Sequence, residues 1–227
     1  MGIGENIIAL KSNLPDHVRL IAVSKTKPVS DILEAYQAGQ RLFGENKAQE
    51  MASKFPLLPQ NIEWHFIGHL QTNKVKYIAP FVTCIHSIDS MRLLLEINRE
   101  ALRNNRIIPC LLQFHIAEEE TKFGLSVIEA ESMLLSDTLK TLRNIEITGV
   151  MGMATFTEDM DQVRKEFRNL KTIFEMMKEV FFNDQPTFRE ISMGMSDDYR
   201  IAVEEGSTMV RIGSAVFGQR TFSNPES

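Results

Sequence analysis

Cysteine is scarce in this chain. Of 227 residues only Cys84 and Cys110 are cysteine. Each sits in an apolar run, Val82-Thr83-Cys84-Ile85 and Ile107-Ile108-Pro109-Cys110-Leu111-Leu112. A disulfide scaffold is excluded, and two thiols in apolar sequence suit a reducing, cytoplasmic compartment. An excess of positive charge is missing too. The 25 Lys and Arg are outnumbered by 30 Asp and Glu, for a net charge of −5, which argues against nucleic acid as a partner. No apolar run reaches the roughly 18 residues of a membrane span, so no membrane association is expected. No charged segment followed by an apolar core marks a secretory signal. The 12 Gly and 8 Pro are too few for a disordered or collagen-like chain. A Walker A loop, a nucleophile elbow and Cys/His metal spacing are all absent, so no metal site is expected. Composition leaves a cytoplasmic globular protein without a function.

What the chain does have is an ordered alternation of strand-like and helix-like segments. Strand candidates are Val18–Ser24, Arg41–Asn46, Ile62–Gly68, Phe81–Ser87, Ile108–Ile116, Ile145–Met151, Thr187–Met193 and Thr208–Phe217. Helical patterns separate them, the longest near Asp159–Phe182. There Val163, Phe167, Leu170, Phe174, Met177 and Val180 recur at spacings of 3 and 4 and make one apolar stripe. Strict β-then-α order implies parallel strands joined by right-handed crossovers. Eight such units in about 200 to 250 residues predict a single (β/α)8 barrel. A doubly wound open sheet is the second choice, but G-x-G-x-x-G after the first strand is missing. No linker suggests a second domain, so residues 1–227 are expected to form one domain. Residues 1–17 read as an extra helix at the barrel's N-terminal end, and 218–227 as a tail.

Barrels of this kind carry their chemistry at the C-terminal ends of the strands. The first strand ends in Ser24-Lys25-Thr26-Lys27-Pro28. If Ile21 and Val23 face inward, so does Lys25, at the mouth. An apolar floor and the neighbouring Lys27 both disfavour its ammonium, leaving amine for a Schiff base with a carbonyl; the alternative is a solvated or salt-bridged loop lysine. Ser192-Met193-Gly194-Met195-Ser196 and Arg211-Ile212-Gly213-Ser214 end the last two strands. Small residues there let backbone N–H groups approach an anion, in the loops where barrels commonly hold phosphate. Ser196 reads equally as a cap of the following helix, and Asp197 and Asp198 push the anion toward Ser192 and Gly213. Arg211 alternates inward with Gly213 and reaches the mouth. A lysine opposite such a cradle suggests a phosphorylated carbonyl compound. Asn46 and His69, at the ends of the second and third strands, are further candidates. His65, His86 and His115 read as hydrogen-bonded core or rim histidines, Met151–Met153 as packing, and Glu118–Glu120 as a solvated loop.

The runs Ala22–Pro28, Phe43-Gly44-Glu45-Asn46, Trp64–Lys74, His86-Ser87-Ile88-Asp89, Ser192–Asp197 and Val210–Ser214 resemble the YggS/PROSC family of pyridoxal 5′-phosphate (PLP) homeostasis proteins. That family is similar to the N-terminal barrel of alanine racemase, and the landmarks run in order from Val18 to Phe217. The resemblance implies a PLP-binding barrel with the cofactor covalently on Lys25 rather than Lys27. It implies a phosphate-binding serine at Ser192 and backbone donors at Gly213 and Ser214. It places Arg211 near the pyridine nitrogen and Asn46 in the pocket. Phe114-His115 stands where many members have Val-Asn, a departure on the fifth strand.

Alanine racemase continues into a β-domain that supplies a catalytic tyrosine, whereas the sequence given ends at Ser227. Neither that domain nor a second base among Tyr36, Tyr77 and Tyr199 is expected. An unprotonated ring nitrogen is a weak electron sink, and racemisation needs proton carriers on both faces. The implied function is therefore a monomer that buffers or delivers PLP, with PLP-dependent apo-enzymes as recipients and no assigned catalytic residue. The alternative is a PLP-dependent racemase, or another Schiff-base enzyme, of weak or unusual specificity.

Overall fold

The structure is a computed structural model that describes residues 2–118 and 123–219. The apolar runs form eight strands: β1 (Arg19–Val23), β2 (Leu42–Glu45), β3 (Glu63–Phe66), β4 (Cys84–Ile88), β5 (Ile108–Phe114), β6 (Ile145–Gly152), β7 (Glu190–Ser192) and β8 (Met209–Ile212). Each pairs in parallel with the next, and β1 closes on β8. Helices α1 (Ile3–Asn13), α2 (Val29–Gln37), α3 (Ala48–Lys54), α4 (Val75–Ile78), α5 (Met91–Arg103), α6 (Val127–Leu135), α7 (Asp137–Lys140), α8 (Met160–Phe181), α9 (Tyr199–Glu204) and α10 (Ser214–Phe217) surround the strands. The chain is the expected (β/α)8 barrel.

Closure sorts the strand residues onto two faces, because neighbours along a strand point to opposite sides. Ile21, Cys84, Leu111, Met151 and Met209 pack together inside the barrel. Ala22, Phe43, Trp64, Ile85, Leu112 and Val150 join the larger core between sheet and helices. In α8, Val163, Phe167, Leu170, Phe174 and Met177 are buried as their spacing predicts. Val180 is exposed instead. The helix exit is held by Phe182, whose ring stacks on Phe188 at 4.1 Å.

Two boundaries differ from the sequence reading. The run Thr208–Phe217 is a strand only to Ile212; Ser214–Phe217 turns into α10, with Val216 and Phe217 N–H groups donating to Gly213 O. Helix α1 spans Ile3–Asn13 rather than residues 1–17; it packs against α2 and α10, with Asn6 Nδ2 donating to Val216 O at 3.0 Å and Lys11 Nζ to Gly39 O at 2.9 Å. Glu119 and Glu120 of the acidic loop, and residues 220–227 of the tail, lie outside the described residues.

One glycine is required by the close approach of two strands. A β-carbon on Gly149 in β6 would lie 1.9 Å from Glu190 O in β7, so that pairing admits no side chain there. A β-carbon on Gly39 would meet nothing within 4 Å, although its φ is +87°. Gly149→Ala is expected to destabilise by on the order of 3 kcal/mol or more, and Gly39→Ala by about 1 to 2 kcal/mol from backbone strain alone. Urea unfolding of both variants measures the difference, and equal losses would rule out the strand contact as the cause.

Candidate functional site

A cavity of about 390 Å³ opens at the C-terminal ends of the strands. Its walls include Val23, Lys25, Lys27, Asn46, Ile67, Met153, Phe156, Met195, Ser196, Asp197, Arg211, Gly213 and Ser214. Lys25, Asn46, Arg211, Gly213 and Ser214, which are far apart in sequence, thus share one pocket. Val23 and Ile67 supply an apolar floor beneath two amines. Lys27 Nζ donates to Phe217 O at 2.9 Å, which turns it toward the wall. Asn46 brings a buried amide oxygen with no hydrogen-bond partner, on the same wall. Among the described residues the wall carries no tyrosine, histidine or cysteine.

Gly213 and Ser214 of the expected anion cradle line the mouth, whereas of the two serines in the S-M-G-M-S run it is Ser196 that does so. Ser192 is wholly buried in β7 and is not part of the cavity wall. Past it the chain bends at Gly194, where φ is +95° and a β-carbon would lie 2.5 Å from Ala202 Cβ. That bend carries Ser196 to the mouth. Ser196 does not cap α9, whose N-cap is Asp198. Its Oγ accepts from Gly213 N at 3.3 Å and Ala215 N at 3.5 Å. Two backbone donors therefore converge on one oxygen, leaving the hydroxyl proton to donate elsewhere. A β-carbon on Gly213 would rest 3.5 Å from Val23 without clash. Packing therefore does not demand the glycine, and its missing side chain widens the pocket. The signal for Ser196 was in the sequence, in the same S-M-G-M-S run, but choosing between its two serines required the bend.

His69 is also elsewhere. Its Nδ1 lies 3.1 Å from Asp89 Oδ2, its ring stacks on Phe123 at 4.3 Å, and 41% of its side chain is exposed. It belongs to the surface beyond the third strand, not to the cavity.

Beneath the mouth runs a buried polar chain. Arg211 NH1 donates to Ser192 Oγ at 2.7 Å and NH2 to Gly152 O at 3.0 Å. Ser192 Oγ lies 2.9 Å from His86 Nδ1, and His86 Nε2 lies 2.8 Å from His65 Nδ1. Guanidinium has no lone pair to accept with, so Ser192 Oγ is the acceptor of the Arg211 bond, and the imidazole tautomers set the direction of the other two. At the far end of this polar chain His65 Nε2 is buried without a partner. Ser192 is thus the joint between Arg211 and two core histidines. Burial lowers Arg211 to about 10, opposed by the nearby Asp198 carboxylate, so it remains a cation at neutral pH. Burial, and then the charge of Arg19, push His65 down to about 3. His86 is lowered well below its ordinary value by burial, by His65 and by Arg211.

Both histidines are neutral in the folded chain and titrate near 6.5 when it unfolds. A group with a depressed folded pKa contributes stability above its unfolded pKa and loses it as pH falls. Stability is therefore expected to fall from about pH 6.5 toward pH 3, by at most about 1.4 kcal/mol per pH unit for each histidine. Urea unfolding of wild type and His65→Asn between pH 7 and 4 checks this; the variant should show a shallower slope. Identical slopes would mean that His65 does not contribute.

The alanine racemase N-terminal domain model matches residues 2–221. The pyridoxal phosphate homeostasis protein of Vibrio alginolyticus is 41% identical over 214 residues, 92% of this chain and 89% of that protein. Two structures of PipY from Synechococcus elongatus are similar throughout. The one without PLP has a TM-score of 0.89 at 35% identity, and the one with PLP bound has 0.85 at 34%; each covers 95% of this chain and 100% of PipY. Alanine racemase from E. faecalis, at 15% identity and TM-score 0.72, shares the fold. With this coverage from both its ends to its mouth, the chain belongs to the alanine racemase N-terminal domain family, among the pyridoxal phosphate homeostasis proteins.

Proposed function

We propose that this chain binds PLP at the barrel mouth, covalently through Lys25, and holds it for intracellular PLP homeostasis rather than for turnover. The observation that carries this reading is the convergence, in one cavity, of an amine, an anion cradle and a buried cation. Each matches a different part of the cofactor. Lys25 offers the amine that condenses with the aldehyde: a C=N bond forms and water leaves. Ser196, whose Oγ accepts from the Gly213 and Ala215 N–H groups, offers its hydroxyl proton to the phosphate, with Ser214 beside it. Asn46 offers an acceptor. Asp197 on the same wall repels the phosphate toward that cradle.

Arg211 faces the ring as a donor only. A guanidinium at the pyridine nitrogen keeps that nitrogen unprotonated, because it has no site to accept a proton and does not give one up at neutral pH. PLP supplies an electron sink when bound, and an unprotonated ring weakens it. Among the described residues the cavity wall also carries no tyrosine or histidine to exchange a proton with a substrate. Both features support a carrier from which an incoming amine, free or on a PLP-dependent apo-enzyme, takes the cofactor in exchange. The absence of a membrane-length helix among the described residues fits a cytoplasmic setting.

Purified protein mixed with PLP should absorb in the visible range, and borohydride should bleach the colour and leave the mass label on Lys25. Lys25→Arg should take no label. A colourless protein, or a label spread over surface lysines, would refute the assignment. Ser196→Ala should weaken PLP by about 10-fold, from lost bonds to a charged group of roughly 1.5 kcal/mol, while leaving pyridoxal unaffected. Ser192→Ala is expected to weaken both ligands alike, since Ser192 acts through Arg211. If Ser192 instead separates PLP from pyridoxal, the phosphate lies deeper than the mouth. With L-alanine in deuterated solvent, the loaded protein should exchange the α-hydrogen slowly; exchange at ordinary enzyme rates of about 1 per second or faster would favour the racemase reading.

A further inference from the structure

Lys25 is followed by a residue in an unfavourable backbone conformation. Thr26 has φ +66°, in the left-handed region that β-branched residues avoid. It is one of two non-glycine residues with positive φ among those described; the other, Asn105, is of a type that tolerates it. A strained turn persists only where its surroundings hold it, and here the hold is visible. Thr26 N donates to Glu50 Oε1 at 2.6 Å. The same oxygen accepts from Lys54 Nζ at 2.7 Å. Lys54 Nζ also donates to Ser24 O at 2.8 Å and to Glu45 Oε1 at 2.8 Å, and Ser24 Oγ donates to that Glu45 oxygen at 2.6 Å.

One ammonium thus joins the residues before and after Lys25. Its three bonds go to Ser24 O, to Glu45 at the end of β2 and to Glu50 in α3. The Lys54 side chain is 9% exposed and that of Glu45 is fully buried. Such a pair is costly to desolvate and does not stabilise a fold cheaply. None of Glu45, Glu50 and Lys54 lines the cavity, so none touches the ligand. Lys27 N donating to Ser24 O at 3.0 Å completes the turn.

We propose that Glu50, Lys54 and Glu45 are positioning residues: this ion triad holds Thr26 in its left-handed conformation and so aims the Lys25 amine into the cavity. The inference rests on the reading of Lys25 as the PLP lysine. Relaxation of Thr26 to negative φ would rotate the chain at the residue next to Lys25 and swing its side chain off the pocket axis. The triad spends buried charge on the direction of one amine.

The test separates strain from stability. Glu50→Ala removes the acceptor, and Glu50→Gln keeps one. Glu50→Ala should slow borohydride-trapped PLP labelling of Lys25 by about 10-fold, the size expected of backbone strain left unsupported, and should speed hydrogen exchange at the Thr26 amide. Glu50→Gln should retain most of both. Thr26→Gly, which adopts positive φ without penalty, should restore the labelling rate of Glu50→Ala to within about 3-fold of the Thr26→Gly protein. A stability defect alone would not be repaired by a glycine in the turn. If Glu50→Ala labels at the wild-type rate, or Thr26→Gly fails to rescue it, the proposal is overturned. Should Glu50→Ala not fold, Lys54→Met is read by the same two measurements with the same outcomes. Should the wild-type protein form no PLP adduct, the reading of the site fails instead. Thr26 amide exchange, together with acylation of Lys25 by a small anhydride, then still decides whether the triad holds the turn.

Discussion

A buried cation in the middle of a closed barrel is the constraint around which this protein is arranged. Arg211 is 4% exposed, and a guanidinium removed from water must be met by acceptors or carboxylates. The molecule answers with Ser192, the Gly152 carbonyl and the nearby Asp198. Ser192 in turn engages His86, and His86 engages His65. Because Arg211 only donates, Ser192 Oγ and the Gly152 carbonyl are both its acceptors. Inside the barrel this polar chain runs beside the apolar cluster of Ile21, Cys84, Leu111, Met151 and Met209.

The mouth itself is made by the turns that leave this frame. Gly194 bends the chain after β7 so that Ser192 stays inside with Arg211 while Ser196 reaches the donors of Gly213 and Ala215. The turn after β1 is tied to α3 by Lys54 and Glu50, and the end of β2 supplies Glu45 to the same ion cluster. Amine, cradle and cation face each other because three separate loops are each anchored by charge or by a glycine. The proposed fit to an aldehyde, a phosphate and a ring nitrogen rests on this spacing and not on any one residue.

Much of this was legible from residue order. Eight alternations of apolar run and helical pattern imply a parallel barrel, and the strand-end rule selects Lys25, Asn46, Arg211, Gly213 and Ser214. Strand periodicity of two is a local property, so the inward direction of Ile21 and of Arg211 can be read without coordinates. Ser192, in contrast, follows the same parity but ends too deep, because a strand residue two positions before a sharp bend stays within the barrel. His69 stands at a strand end and still leaves the pocket, drawn to Asp89 and Phe123. Neither outcome depends on the residues next to it in sequence.

The sequence by itself determined the fold class and the family, since periodicity and ordered motifs are local patterns that survive as a one-dimensional record. It also placed Lys25 at the mouth. The tertiary structure alone decided which serine meets the cradle, which histidines pair, and that Glu45, Glu50 and Lys54 act together on the Lys25 turn. The physical reason is distance. Hydrogen bonds and ion pairs reach about 3 Å, and only the closed barrel brings residues 24, 45, 50 and 54, or 86, 192 and 211, within that range.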